Sequence, residues 1–225
     1  MELNKYIDHT LLKANLTKKD LNKLIKEAIS YDFKSVCVNP YYVKYCKKKL
    51  QNSDVLVCTV IGFPLGQNSL KTKIFEAKQA IKDGADELDL VINISELKNH
   101  NYKYLEKELT KIREVVKDKT LKVIIETCYL TDEEKTKITE LIIKTNCDFV
   151  KTSTGFGTKG ATFEDVKLLK SVTKDQIQIK ASGGIKTKED FLKYLELGAT
   201  RIGTSNGIAL ITDEDNKKNK EINNY

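Results

Sequence analysis

The segment Gln176-Ile177-Gln178-Ile179-Lys180-Ala181-Ser182-Gly183-Gly184-Ile185-Lys186-Thr187 decides the fold. Its first six residues alternate polar and apolar, the pattern of a strand with two different faces. Gly183-Gly184 breaks the run. Thr187 followed by Lys188-Glu189-Asp190 then has the form of an N-cap with an acidic first turn. A helix is expected over 188–197, Gly198 falls at its C′ position, and Thr200-Arg201-Ile202-Gly203 begins another strand.

Outward from that segment the same unit recurs. Further strands are expected at 6–9, 35–39, 55–62, 87–93, 122–127 and 148–152. Amphipathic helices are expected at 18–31, 70–83, 102–117, 132–145 and 163–172. In the first of these, Leu21, Leu24, Ile25 and Ala28 are spaced i, i+3, i+4, i+7. Eight strands alternating with helices in 225 residues imply an α/β fold, a single (β/α)8 TIM barrel. The alternative is an open doubly wound sheet, and the lack of G-x-G-x-x-G after the first strand weighs against it. The barrel domain is expected over 1–211, and the polar stretch 212–225 reads as a C-terminal tail.

Composition removes several classes of function. No apolar run is long enough to cross a membrane as a helix. The opening Met1-Glu2-Leu3-Asn4-Lys5 lacks the form of a secretory signal. Five cysteines, odd in number and without a C-x-x-C pair, suggest neither a disulfide framework nor a zinc knuckle, so a reducing cytoplasm is expected. The net charge of +7 is spread along the predicted helices, so no nucleic-acid partner is expected, because a binder concentrates its charge on one face. His9 and His100 are not at ligand spacing, and no metal is expected. His9 reads either as a pocket residue or as a satisfied core histidine.

Side chains alternate along a strand. With the apolar set facing the helices, Asp89, Lys151, Lys180 and Glu126 fall on the barrel interior near strand C-termini. In this fold those ends carry the active site. Two buried lysines are costly. Either each forms an ion pair with Asp89 or Glu126, or one is a nucleophile whose amine is freed by burial and a neighbouring ammonium. Glycines follow the last two expected strands, in Ser182-Gly183-Gly184 and in Gly203-Thr204-Ser205, where barrels commonly bind phosphate through backbone N–H groups.

Taken together and in order, the segments resemble the deoxyribose-phosphate aldolases over nearly the whole chain. They are Tyr6-Ile7-Asp8-His9-Thr10-Leu11-Leu12, Ser35-Val36-Cys37-Val38-Asn39-Pro40, Val60-Ile61-Gly62-Phe63-Pro64-Leu65-Gly66 and Asp86-Glu87-Leu88-Asp89-Leu90-Val91. Then come Lys122-Val123-Ile124-Ile125-Glu126-Thr127, Phe149-Val150-Lys151-Thr152-Ser153-Thr154-Gly155-Phe156, Ile179-Lys180-Ala181-Ser182-Gly183-Gly184-Ile185 and Arg201-Ile202-Gly203-Thr204-Ser205. The resemblance implies reversible cleavage of 2-deoxy-D-ribose 5-phosphate to D-glyceraldehyde 3-phosphate and acetaldehyde, without a cofactor. It implies a Schiff base on Lys151, with Lys180 favouring the neutral amine and Asp89 joining the proton relay. Gly155, Gly183, Gly184, Gly203 and Ser205 match positions that hold the phosphorylated sugar, Cys37 a pocket cysteine, and Asp8 a polar first-strand residue. A homodimer is implied, and Tyr225 matches a terminal tyrosine that assists proton transfer in some members. Two departures are Lys159-Gly160, where Gly-Gly is usual, and Asn206, where a small residue is usual.

Overall fold

The structure, a computed structural model, describes residues 2–212. Eight parallel strands close into a barrel in sequence order: β1 (Ile7–Leu11), β2 (Ser35–Val38), β3 (Leu56–Ile61), β4 (Glu87–Val91), β5 (Thr120–Ile124), β6 (Phe149–Lys151), β7 (Gln178–Ser182) and β8 (Arg201–Thr204). The α-helices among the described residues are α1 (Lys18–Ser30), α2 (Val43–Lys49), α3 (Leu70–Lys82), α4 (Ile94–Lys98), α5 (Tyr102–Val116), α6 (Asp132–Lys144), α7 (Phe163–Thr173), α8 (Lys188–Glu196) and α9 (Gly207–Ile211). The expected (β/α)8 barrel is the fold observed. The short α2, α4 and α9 were not anticipated, because five to seven residues give too few turns for a periodic signal. None of the described helices is long and apolar enough to cross a membrane.

Local chemistry fixes where the helices begin. Thr17 accepts from Asp20 N while the Asp20 carboxylate accepts from Thr17 N, and Thr131 and Glu134 form the same reciprocal box ahead of α6. Each such cap contributes about 1 kcal/mol. Outward-facing Val36, Val57, Leu88, Leu90, Val123, Val150 and Ile179 pack with the inner faces of the helices in one large core. A second, small cluster of Leu12, Cys37, Cys58 and Val60 lies apart, with Phe63 against it. The rest of the barrel lumen is largely polar.

Between β4 and the helices lies a buried ion pair. Lys73 on α3 donates to Glu108 Oε1 on α5 at 2.8 Å and to Val91 O at 2.8 Å, while Glu108 Oε2 accepts from Asn93 N at 3.0 Å. Both side chains are fully buried. The pair ties two helices to the C-terminal end of β4, just beyond Asp89.

Candidate active site

Strand register decides which inward polar residues meet. Lys151 and Lys180 are lateral neighbours on β6 and β7, and Asp89 and Lys122 on β4 and β5. Asp89 Oδ2 accepts from Lys151 Nζ at 2.8 Å and from Lys180 Nζ at 2.7 Å. Asp89 Oδ1 accepts from Lys122 Nζ at 2.9 Å. Lys180 Nζ also donates to Asp8 Oδ2 at 2.5 Å. Lys122 Nζ lies 2.6 Å from Glu87, and Arg201 Nη1 spans Asp8 Oδ1 at 2.7 Å and Glu87 Oε2 at 2.9 Å. These seven charged side chains, all buried, form one network inside the barrel.

For Asp8, Asp89, Lys122, Lys180 and Arg201, burial disfavours the charge and the partners reverse that. Burial pushes the Asp89 carboxyl up, but Lys122, Lys151 and Lys180 hold it well below the ordinary carboxylate range. Asp8 is held low in the same way, with burial opposed by Arg201, Lys180 and Lys122. Burial works against the Lys180 ammonium, yet Asp8 and Asp89 keep it above the ordinary lysine value. Lys180 is thus a fixed positive charge beside Lys151 through the neutral range.

Next to this network a pocket of about 410 Å³ opens at the C-terminal rim. Lys151 reaches it, as do Thr10, Thr154, Gly155 and Phe156. The end of β7 and the loop after it contribute Ser182, Gly183, Gly184 and Lys186, and the end of β8 and the loop after it contribute Gly203, Ser205 and Asn206. Of the residues singled out in the sequence, Lys151, Gly155, Gly183, Gly184, Gly203 and Ser205 therefore meet in one cavity. Asp89, Lys180, Asp8 and Cys37 are buried in the barrel and do not line it. Tyr225 lies outside the described residues, as does most of the 212–225 tail. A Cβ on Gly203 would stand 3.1 Å from Lys180 Cε, so glycine leaves room for that lysine's stem.

The two departures have different weights. Gly160 packs backbone to backbone on the β7 loop, where a Cβ would fall 2.1 Å from Gly183 O, and Ala161 N donates to Ser182 O at 3.0 Å. Lys159, beside it, is exposed and does not line the cavity. Asn206 lines the cavity and donates its backbone N–H to Thr204 Oγ1 at 3.0 Å.

Sequence reasoning placed Glu126 beside the lysines. The ion pair offered there does not form: among the described residues Glu126 has no salt-bridge partner, although the Lys151 charge acts on it, and its carboxylate accepts from Thr154 N at 3.2 and 3.3 Å and from the Thr154 hydroxyl. Strand alternation ends before it, because Glu126 adopts φ 53°, ψ 69°. Burial pushes its carboxyl up, against the Thr154 hydrogen bonds. His9 is a core residue: its Nε2 lies 2.9 Å from Glu27 Oε2 on α1, and the ring packs near Phe33. Lys122 and Arg201 were missed, as were Lys13 and Lys186 at the cavity wall. Lys122 precedes Glu126 by four residues in one strand segment, so the same parity count contained it.

Cys37 Sγ, Cys58 Sγ and an Asp89 oxygen lie within 4.8 Å of one another. That donor set does not suit a cation. Three lysines already surround Asp89, and burial holds the Cys58 thiol well above its ordinary value.

The fold and this site define an α/β-barrel enzyme with its reactive groups at strand C-termini. Residues 3–211 match the model of the DeoC/LacD family aldolases. The chain is 60% identical over 211 residues to a deoxyribose-phosphate aldolase of Finegoldia magna, covering 94% of this chain and 99% of that one. It is 52% identical over 217 residues to a deoxyribose-phosphate aldolase of Metamycoplasma arthritidis, covering 96% and 100%. Among solved structures, the aldolase QR15 superposes with a TM-score of 0.90 at 43% identity, covering 98% of each chain. A tetrameric deoxyribose phosphate aldolase from Aeropyrum pernix does so with 0.88 at 33%, covering 96% of this chain and 91% of that one. The chain belongs to the DeoC/LacD family of aldolases.

Proposed function

We propose that this aldolase cleaves 2-deoxy-D-ribose 5-phosphate reversibly to D-glyceraldehyde 3-phosphate and acetaldehyde through a Schiff base on Lys151. One observation carries the assignment of the nucleophile. Lys151 is the lysine of the buried network that reaches the cavity, and it is held there by Asp89. Lys122 and Lys180 each contact at least two carboxylates and do not line the cavity.

In this reading the Lys151 amine adds to the C1 aldehyde, and loss of water gives an iminium. The C3 hydroxyl proton passes through a water to the Asp89 carboxylate, with the Lys180 ammonium donating to the same carboxylate and holding the relay in place. Electrons of the C2–C3 bond flow into the iminium, leaving an enamine and releasing glyceraldehyde 3-phosphate. Protonation at C2 and hydrolysis return the amine and acetaldehyde. Departure of Lys151 from Asp89 removes one of the two hydrogen bonds to Oδ2 and opens that oxygen to a water at the reacting centre. Gly155, Gly183, Gly184, Gly203 and Ser205 surround the phosphate, with Lys186 and Lys13 adding positive charge at the wall. Asp8 fixes Lys180, and Cys37 packs beneath the pocket.

The test is to incubate the protein with 2-deoxyribose 5-phosphate, reduce with borohydride and map the modified peptide by mass spectrometry. An adduct on Lys151, lost in Lys151→Ala, supports the reading. Binding without an adduct or turnover sinks it. The reading extends to a homodimer in a reducing cytoplasm, which sedimentation and fractionation test; the tetramer described for the Aeropyrum pernix relative is the competing outcome.

A further inference from the structure

Glu126 stands outside the ion network, yet several independent features fix it. Ile125 N donates to Lys151 O and Thr127 N to Thr152 O, both at about 3 Å. The β5 side thus advances two residues where β6 advances one, which is a bulge. Its extra residue is Glu126, in a left-handed conformation that non-glycine residues rarely adopt. Bulges re-aim side chains next to active sites. Here the carboxylate is delivered onto Thr154, three residues after Lys151.

The contact is specific. Both carboxylate oxygens receive Thr154 N, and Oε2 also receives its hydroxyl. Thr154 Oγ1 in turn accepts from Phe156 N at 3.0 Å. A Cβ on Gly157 would meet Glu126 Cδ at 3.0 Å, so the turn lies directly on the carboxylate. Thr154, Gly155 and Phe156 line the cavity, whereas Glu126 does not. Phe156 leans edge-on against Phe63, with ring centroids 5.3 Å apart.

We propose that Glu126 is a positioning residue that latches the 154–157 turn and thereby sets the wall of the pocket that receives the substrate's phosphate. The assignment of that wall to phosphate rests on the function proposed above. The carboxylate presents two charged acceptors to the Thr154 N–H and O–H. Glu126→Gln has nearly the same volume but removes the charge and replaces one acceptor with an NH2 donor.

Steady-state kinetics with 2-deoxyribose 5-phosphate and with unphosphorylated 2-deoxyribose test this. In Glu126→Gln, KM for the phosphorylated substrate should rise by about tenfold or more, the loss of a charge-assisted hydrogen bond. Both kcat and the kcat/KM for the unphosphorylated sugar should change much less. Equal losses on both substrates, or an unchanged KM, overturn the proposal. Should Glu126→Gln fail to fold, Thr154→Val removes the hydroxyl from the other side, and a wild-type KM there also overturns it. Failure of the wild type to cleave either sugar refutes the function reading and leaves the latch to a second readout. The chain has no Trp, so Phe156→Trp makes the turn its single indole reporter. Phe156 is already 56% exposed, so the readout is mobility: adding Glu126→Gln to that variant should lower the indole's fluorescence anisotropy without any substrate. Unchanged anisotropy overturns the latch.

Discussion

Lys151 and Lys180 donate to the same oxygen of Asp89, at 2.8 and 2.7 Å. The two are not equivalent. Lys180 has a second carboxylate, Asp8, whereas among the described residues Asp89 is the carboxylate that Lys151 pairs with. Lys151 can leave for a substrate by breaking one ion pair while Lys180 stays in place.

Lys151→Ala should lower kcat by at least about 10³-fold with the fold intact, because the covalent route is removed outright. Circular dichroism would confirm folding, and single-turnover assays would measure the loss. Wild-type-like turnover would move the nucleophile elsewhere.

Acid should unfold the barrel steeply. Asp8 and Asp89 are both held below the unfolded-chain value of roughly 3.9. A depressed carboxyl contributes its stability in full above the unfolded value and loses it as pH falls toward the folded one. Urea midpoints should therefore hold near neutrality and drop from about pH 5 downward. The drop should be shallower in Asp8→Asn, and an identical slope would exclude Asp8 as a source.

Lys73→Met should destabilise the protein by about 3–5 kcal/mol, since it leaves Glu108 charged and buried without its partner. Replacing both, as Lys73→Met with Glu108→Leu, should recover part of that loss. Equilibrium unfolding in urea compares the three proteins.

Gly160→Ala should weaken substrate binding and cost about 1–3 kcal/mol of stability, because its methyl would enter the Gly183 carbonyl. Lys159→Gly should leave KM within about twofold, as an exposed side chain away from the cavity. A large rise in KM in Lys159→Gly would give that lysine a role in anion binding.

Much of this was legible because the cues are local. Thr187 caps α8 where the sequence shows an N-cap with an acidic first turn. Alternation in β4, β6 and β7 put Asp89, Lys151 and Lys180 inside the barrel. What escaped depends on relationships a linear count does not hold. Arg201 opens a strand, where a basic residue reads as solvent-facing, and its burial follows only from Asp8 and Glu87 on distant strands. Glu126 was misplaced because a single positive φ resets the alternation after Ile125. Lys13 and Lys186 were passed over because they belong to the cavity only once β1 and β7 stand at the same mouth.

The ion network has a further consequence for synthesis of the protein. Asp8 lies on the first strand and its partners Lys180 and Arg201 on the last two. A nascent chain makes the carboxylate early and must keep it in water until the cations that neutralise it leave the ribosome. The proposed nucleophile, Lys151, emerges before the strands that complete its surroundings. Reactivity therefore arrives with ring closure between β8 and β1, late in translation, and a truncated product would carry the lysine without the apparatus that makes it useful.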